Sequence, residues 1–152
     1  MDTNRAVRLA ESKLKEHGLH EWRVVLDNAK SRMGICRHRM KTIGLSKPVV
    51  ELNKEETILD TILHEIAHAI VGARHGHNSI WKRKAREIGS SGERCVDAHS
   101  IVVPKGKYVG VCKNCGSKSY RQRKATGRMS CSKCAQFRGF DESRLIEWSL
   151  AS

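Results

Sequence analysis

The stretch HEIAHAIVGARHGHNSIW, from His64 to Trp81, decides how this chain of 152 residues folds and which chemistry it can carry. Its apolar pattern predicts a helix, and the four-residue spacing of His64 and His68 places both imidazoles on one face, one turn apart. At this spacing two side chains can bind one Zn²⁺ ion. Glu65 lies beside them in an otherwise apolar helix, where a carboxylate needs a partner such as water held by the metal. The pattern therefore predicts a zinc site with Glu65 as general base.

A third ligand has to come from outside this helix, because a catalytic zinc usually has three protein ligands and one open position. In one class of zinc proteases a histidine follows the second ligand by six residues, but that position is Arg74 here. Glu87 lies at a tolerable distance, although a glutamate among basic residues needs no metal to explain it. His75 and His77 remain, both in a loop with glycines. The sequence favours His77, because it directly precedes the Asn-Ser pair that can cap the next helix.

The rest of the N-terminal two thirds predicts short helices and strands around the histidine helix. In chain order we expect a helix begun by Thr3 or Asn4 and ended by Gly18, a strand over residues 22–26, one or two strands over residues 32–46, the histidine helix from a cap at Asn53 to Gly72, and a helix that ends at Gly89. Because the histidine helix is apolar around most of its circumference, we expect it to be buried.

Four cysteines follow in the C-terminal third, as two CxxC pairs separated by fifteen residues: Cys112, Cys115, Cys131 and Cys134. This spacing is a strong signal for a zinc ribbon, in which four thiolates close a tetrahedron and leave no open position for catalysis. The segment is too poor in apolar residues to build its own core, so the metal would supply much of its folding energy. Two disulfides are the alternative, which a reducing compartment disfavours. Cys36 and Cys95 are left over and are expected to be small buried residues.

The composition changes near residue 105, where lysine, arginine and cysteine replace aliphatic residues. We therefore expect a zinc-binding domain over residues 1–104, a zinc ribbon over residues 105–140 and a C-terminal tail over residues 141–152. The fold class predicted for the whole chain is α+β, with a small β-sheet packed against the helix that carries the zinc ligands.

The charge of the chain points to a polyanionic partner. The sequence has 29 lysines and arginines against 16 acidic residues, and residues 101–140 include ten basic residues and no acidic one. Basic side chains next to an aromatic ring suit phosphate contact and base stacking on single-stranded nucleic acid. Between the cysteine pairs, in a predicted hairpin that turns near residues 126–127, the candidate nucleic-acid contacts are Lys118, Tyr120, Arg121, Arg123, Lys124 and Arg128. The alternatives are a solvated basic face, and aromatic rings, including Phe137 and Phe140, that fill a seam against the first domain.

The N-terminal residues predict a helix and lack the apolar core of a signal peptide. No apolar run approaches the roughly 18 residues that a membrane span needs. We therefore expect a cytoplasmic protein without a membrane partner. In a bacterium it would be associated with the nucleoid, and in a virus it would act in the host cytoplasm.

The residues quoted so far resemble a known family. The run from His64 to His68, Gly76-His77 and an aromatic residue at Trp81 are similar to the SprT-like zinc metalloproteases, relatives of the Spartan DNA–protein crosslink protease. Trp22 in a predicted strand, GIC at residues 34–36 and IGLS at residues 43–46 look like the sheet that precedes the active-site helix of this family. A zinc ribbon commonly ends its members. One departure is Asn78, where many members have glycine; asparagine tolerates positive φ well, so the turn can survive.

The resemblance implies a zincin-like core with a catalytic Zn²⁺ held by His64, His68 and His77, with Glu65 as the catalytic residue. It implies a structural Zn²⁺ in the ribbon as well. By the same resemblance the protein would cleave proteins bound or crosslinked to DNA, with single-stranded or damaged DNA as its partner. The alternative is a nucleic-acid-binding adaptor in which the same core is a scaffold without catalysis.

Overall fold

The computed structural model describes residues 1–94, 101–135 and 139–151 and divides the chain into two compact units, Met1–Pro104 and Lys105–Ser152. Both units contain a small β-sheet, and the first also contains the long helices. This mixture confirms the predicted α+β class. Among the described residues, no helix is both long enough and apolar enough to cross a membrane. Cys95 and Phe137, which the sequence analysis singled out, lie outside the described residues.

The N-terminal unit is built from four helices and three strands within its described residues. They are α1 (Thr3–Glu16), β1 (Arg23–Asp27), β2 (Gly34–Arg37), β3 (Thr42–Ser46), α2 (Lys47–Leu52), α3 (Glu55–Val71) and α4 (Ser79–Glu87), with a short 3₁₀ helix at His38–Met40. The helix α3 carries His64, Glu65 and His68. It ends at Gly72, whose φ of 89° lies in the region that glycine adopts without strain.

The sheet of this unit has the strand order β1-β3-β2. The central strand β3 pairs with β1 in parallel and with β2 in antiparallel register. All five residues of β3 are buried, and Ile43 and Leu45 enter the core with the apolar faces of α1 and α3. This arrangement leaves β2 at the sheet edge, in contact with α3.

Two packing surfaces fix the orientation of α3. Ile58, Ile62 and Ile66 pack with α1 and β3 in the main core, and Ala67 packs with Trp81 and Ala85 of α4 in a second cluster. The helix is therefore buried on two sides, as its sequence predicted. His64 and His68 are only half-buried, so α3 keeps one more accessible face, and that face carries the histidines.

Two predicted helix caps were wrong. Asp2 caps α1, because its carboxylate accepts a hydrogen bond from the backbone N–H of Arg5 at 2.9 Å. Asn53 does not cap α3; its side-chain amide donates to the carbonyl oxygens of Val49 and Val102, both at 2.7 Å, and accepts from the N–H of Val102 at 2.9 Å. A buried amide with distant backbone partners is fully satisfied, so it gains nothing from capping.

The C-terminal unit is a second sheet with the strand order β5-β4-β6, formed by β4 (Tyr108–Cys112), β5 (Lys118–Arg121) and β6 (Ile146–Leu150). Both outer strands are antiparallel to β4. The central strand includes Gly110, where an added Cβ would lie 2.5 Å from Ile146 Cγ2 and 2.9 Å from the ring of Trp148. The absence of a side chain at Gly110 lets the Trp148 ring lie across the sheet.

Two predictions for this unit were wrong. The tail expected over residues 141–152 instead supplies β6, which pairs with the full length of β4. The hairpin expected to turn near residues 126–127 does not form; β4 and β5 form the hairpin, and it turns at the first cysteine pair. The pairing of β4 with β6 joins segments more than thirty residues apart, which no local sequence pattern can indicate.

Candidate metal centres

Three histidine side chains converge at the accessible face of α3. His77 reaches them from the loop between α3 and α4, and its Nε2 lies 3.0 Å from Nε2 of His64 and 3.1 Å from Nε2 of His68. Asn78, the next residue, caps α4 by accepting hydrogen bonds from the N–H groups of Ile80 and Trp81. The helix cap thus fixes the backbone that delivers His77.

The geometry of the three nitrogens fits a metal ion. Nitrogen ligands at about 2.0–2.1 Å from a tetrahedral Zn²⁺ lie about 3.3 Å apart, close to the distances between these Nε2 atoms. Hydrogen bonds alone do not account for both short contacts of His77, because a neutral imidazole has one N–H group and its proton points to one acceptor. A cation would accept all three lone pairs together.

The electrostatic environment keeps these rings neutral, as metal binding requires. Burial, followed by the charge of the neighbouring imidazoles, lowers the pKa of His64 and of His68 to about 4. Burial also lowers the pKa of His77, and the guanidinium of Arg94 acts in the same direction. Near neutral pH all three nitrogens therefore have lone pairs to offer.

Trp81 forms the base on which the three rings rest. Its ring is completely buried, and its centroid lies 4.5 Å from that of His64, 5.0 Å from that of His68 and 4.6 Å from that of His77. The sequence marked Trp81 only as a point of resemblance, since the spacing of one aromatic residue does not reveal which rings it will contact.

The loop after α4 adds a second layer of support. The backbone of Glu93 hydrogen-bonds to the ring of His64. The carboxylate of Asp60, on α3, holds this loop by accepting hydrogen bonds from the Ser90 hydroxyl at 2.7 Å, the Ser91 N–H at 2.7 Å and the Ser91 hydroxyl at 3.0 Å. A backbone partner of this kind orients a metal-binding imidazole. Sequence reasoning missed Asp60, because its partners lie thirty residues away.

Glu65 lies on the side of α3 that meets β2. Its side chain is 8% exposed and lies against the backbone of Gly34, where an added Cβ would be 2.8 Å from its Cγ. Burial raises the pKa of Glu65 to about 7, although a hydrogen bond from the backbone of Cys36 and the charge of Arg32 act in the opposite direction. The carboxylate is thus held between a strand and the histidine site.

A cleft of about 280 Å³ opens beside this carboxylate. Its lining residues are Arg32, Met33, Gly34, Thr61, His64, Glu65, Arg94 and Ile101. The cleft therefore combines an apolar wall, two guanidinium groups and the Glu65 carboxylate next to one histidine of the cluster. The cleft thus brings Glu65 and one histidine of the cluster to the same surface.

The other candidate third ligands lie elsewhere. His75 Nδ1 lies 3.3 Å from the side-chain amide of Asn78, and Glu87 accepts a hydrogen bond from Lys84 at 2.6 Å. Within the described part of the chain, neither belongs to a group that could hold a metal ion. The structure therefore places His77 beside the other two histidines, and the metal-binding role of the three stays a prediction.

Residues 3–100, nearly two thirds of the chain, match the SprT-like family. The chain belongs to the SprT-like family. The match spans α1 to α4 and all three converging histidines, which confirms the resemblance for the N-terminal unit. None of the curated proteins compared with the sequence matches it.

A second candidate metal site lies beyond the SprT-like match, in the C-terminal unit. Sγ of Cys112 lies 3.8 Å from that of Cys134, and Sγ of Cys115 lies 3.8 Å from that of Cys131. Four sulfurs at about 2.3 Å from a tetrahedral Zn²⁺ lie about 3.8 Å apart, so these distances fit a zinc ion closely. All four cysteines are free thiols. The cluster is thus compatible with the predicted structural zinc.

The electrostatics of this cluster also favour a cation. A hydrogen bond with the Ser117 hydroxyl, 3.4 Å from Sγ of Cys131, lowers the pKa of Cys131, whereas burial raises the pKa of Cys134. Four thiols this close cannot all ionise without a counter-charge, and a divalent cation at their centre would provide one.

The residues predicted to contact nucleic acid do not all line one cleft, and their role stays a prediction. Lys118, Tyr120 and Arg121 of β5 line a cleft of about 220 Å³, together with Lys133 and Trp148. Lys133 and Trp148 were not predicted as contacts, although the alternation in IEWSL at residues 146–150 indicates a strand with one face for its tryptophan.

The remaining predicted contacts lie outside this cleft. Arg128 forms an ion pair with Glu142 and lies over the ring of Phe140, 5.5 Å from its centroid. Arg123 and Lys124 are exposed in the segment after β5. Arg123 and Lys124 are thus available for charge contacts, whereas Arg128 is already paired, and none of the three lines the cleft beside Trp148.

Proposed function

We propose that this SprT-like protein is a zinc-dependent peptidase whose substrates are proteins bound or crosslinked to DNA. The observation that carries the proposal is the buried Glu65 carboxylate, which lines a cleft together with His64, one of the three converging histidines. When bound by three histidines, Zn²⁺ keeps one position open, lowers the pKa of water and polarises a carbonyl group.

In this proposal Glu65 moves the proton. As the oxygen of water bonds to the carbonyl carbon, a carboxylate oxygen of Glu65 takes a proton from that water. The same oxygen then gives the proton to the amide nitrogen, and the C–N bond breaks to leave a carboxyl group and an amine. The contacts of Glu65 with Gly34 and the Cys36 backbone support this role, because they hold the carboxylate in one position before the substrate arrives.

The substrate would be an extended peptide. The strand β2 pairs with β3 on one side only, and within the described residues its other edge has no strand partner. Gly34, the first residue of β2, and Met33, which precedes it, line the cleft that contains Glu65. An extended peptide that pairs with a free strand edge gains backbone hydrogen bonds independent of its sequence. Such pairing favours a peptidase that accepts many different proteins once they are held near its cleft.

By binding DNA, the C-terminal unit would bring DNA-bound proteins close to the enzyme. Its cleft places the basic side chains of Lys118, Arg121 and Lys133 around the ring of Trp148. The Arg121 guanidinium lies 5.2 Å from the centroid of that ring. Basic groups beside an aromatic ring suit single-stranded DNA, through phosphate contact and base stacking.

We further propose that the zinc of the four-cysteine cluster is structural and that the protein acts in the cytoplasm, where reduced thiols remain available for the metal. In a bacterium it would associate with the nucleoid, and in a virus it would work in the host cytoplasm. The second candidate function is a DNA-binding adaptor without catalysis, which the basic cleft alone would serve.

The test is proteolysis of a DNA-binding protein with and without single-stranded DNA, by the wild type, by Glu65→Gln and by Arg121→Ala. The Glu65→Gln variant keeps the shape of the side chain and removes the base. We expect cleavage by the wild type that rises with DNA, and at least a 100-fold loss in Glu65→Gln. We expect Arg121→Ala to retain basal cleavage and to lose part of the stimulation by DNA.

The controls separate the two functions. Zinc content and DNA binding measured on all three proteins show whether each variant is folded and loaded. Equal DNA binding by the wild type and Glu65→Gln, with no cleavage by either, would replace the peptidase with the adaptor. If cleavage does not change when DNA is added, the peptidase function stands, but the proposed role of the C-terminal unit is wrong.

A further inference from the structure

The loop after α4 is built to present one side chain to the histidine site. Gly92 has a φ of 70°, and an added Cβ there would lie 2.8 Å from Cγ of Arg86. Ser90 is buried and, with Ser91, is held by the carboxylate of Asp60. This firm segment leads to Arg94, which is exposed and lines the cleft with His64 and Glu65.

Arg94 lies on the side of the cleft nearer to the histidines. Its positive charge acts on the ring of His77. The other guanidinium of the cleft, on Arg32, is committed elsewhere, because its Nη2 donates to the carboxylate of Asp27 at 2.5 Å and its Nη1 is buried. Arg94 is therefore the cation of the cleft that a substrate can reach next to the histidines.

Arg94 has no counter-charge among the described residues. Within residues 1–94, 101–135 and 139–151 no carboxylate forms an ion pair with it. A cation beside a site for a divalent ion repels that ion, and negative charge that develops between them relieves the repulsion. In amide hydrolysis such a charge develops on the carbonyl oxygen, at the point where the substrate meets both Glu65 and the histidine site.

We propose that Arg94 is a further catalytic residue, whose guanidinium donates to the oxygen of the reacting carbonyl group and stabilises the negative charge that develops there. This inference rests on the proposed peptidase function. As the water oxygen bonds to the carbonyl carbon, the π electrons of the C=O bond move to the oxygen that Arg94 contacts. They return when the C–N bond breaks, so the contact is strongest in the transition state.

The test compares Arg94→Ala, Arg94→Lys and the matched control Arg83→Ala, in which an exposed arginine of α4 outside the cleft is removed. Kinetics on a fluorogenic peptide should give a fall in kcat of about 100-fold for Arg94→Ala, with KM changed by less than about twofold. Arg94→Lys should recover part of kcat, because it keeps the charge but loses the planar fork of donors. Arg83→Ala should match the wild type.

Binding provides a readout that does not depend on turnover. A peptide with a phosphinate in place of the reacting amide presents a tetrahedral anion, and we expect Arg94→Ala to bind it about 100-fold more weakly than the wild type does. Ordinary peptide should bind equally to Glu65→Gln with or without Arg94→Ala. A rise in KM with kcat unchanged, or equal phosphinate binding by Arg94→Ala and the wild type, would overturn the proposal. If the wild type cleaves no peptide, the proposed function and this role of Arg94 both fail; if the wild type cleaves and Arg94→Ala keeps its kcat, only the role of Arg94 fails.

Discussion

At the scale of single residues, contacts between distant elements explain residue types that local structure leaves open. Gly34 needs no unusual turn, yet an added Cβ would lie 2.9 Å from the Oε1 atom of Glu65. The glycine is therefore required by the carboxylate on α3. The carboxylate in turn is accommodated because the strand presents backbone there, with the Cys36 N–H as a donor.

Asp27 is a second residue whose role depends on its partners. Its carboxylate accepts hydrogen bonds from Arg32 at 2.5 Å, from Arg37 at 3.3 Å and from the N–H of Ala29 at 3.0 Å. Burial raises the pKa of Asp27, but these hydrogen bonds and the charge of Arg32 outweigh it, so the pKa lies below its usual 3.8. Asp27 thus fixes Arg32 at the far side of the cleft.

The lowered pKa of Asp27 predicts acid sensitivity. A carboxylate with a lowered folded-state pKa contributes stability that is present above its unfolded pKa and is lost as the pH falls through the folded value. We expect Asp27→Asn to lower the free energy of unfolding by about 1–3 kcal/mol at pH 7 and the gap to the wild type to close below about pH 4. Denaturant unfolding at a series of pH values measures this gap. Glu11→Gln, an exposed change on α1, serves as control, and a gap that stays constant down to pH 2 would contradict the assignment.

At the scale of elements, the start of α4 decides which histidine reaches α3. The helix begins at Ser79, and its cap Asn78 holds the chain directly after His77 through two backbone hydrogen bonds. His75, two residues earlier, lies outside the cluster. The cap therefore contributes to both helix stability and the geometry of the candidate metal site.

Removal of this cap should affect both properties. We expect Asn78→Ala to lower the free energy of unfolding by about 1 kcal/mol, because two N–H groups of α4 lose their acceptor. Zinc affinity should fall about tenfold, because His77 is held less firmly. Asn78→Asp, which keeps the acceptor, is the matched control. Thermal unfolding and a competitive zinc titration measure the two effects; a loss of stability with unchanged zinc affinity would separate the cap from the site.

At the scale of the whole molecule, the two units differ in what can stabilise them. The N-terminal unit has a continuous apolar core, whereas among the described residues of the C-terminal unit the buried hydrophobic side chains are those of Cys112 and Cys131. A sheet of three short strands with so little apolar burial needs another source of stability. The four-cysteine cluster is that source if it binds metal.

This difference predicts separate responses to the loss of one thiol. We expect Cys115→Ser to lose one equivalent of zinc and the ordered β4–β5–β6 sheet, while the N-terminal unit keeps its fold and its own zinc. Native mass spectrometry and amide NMR spectra of the full chain measure the two effects. Cys36→Ser, which removes a thiol outside the cluster, should leave the zinc content unchanged. Equal zinc content in Cys115→Ser and the wild type would exclude a structural metal in the cluster.

The sequence alone determined the parts of this protein that depend on local spacing. Four features depend on residues only a few positions apart and can therefore be predicted from the sequence. They are the i, i+4 histidines, the glycine that ends α3, the cap of α4 and the paired CxxC motifs. Only the tertiary structure decided the contacts that join distant segments. These are the hydrogen bonds of Asn53 to the backbone of residue 102, the pairing of β6 in the second sheet, the packing of Gly34 against Glu65, and the position of Arg94 in the cleft. These contacts depend on which surfaces the packed core brings together, and a residue does not reveal its distant neighbours through its own type or spacing.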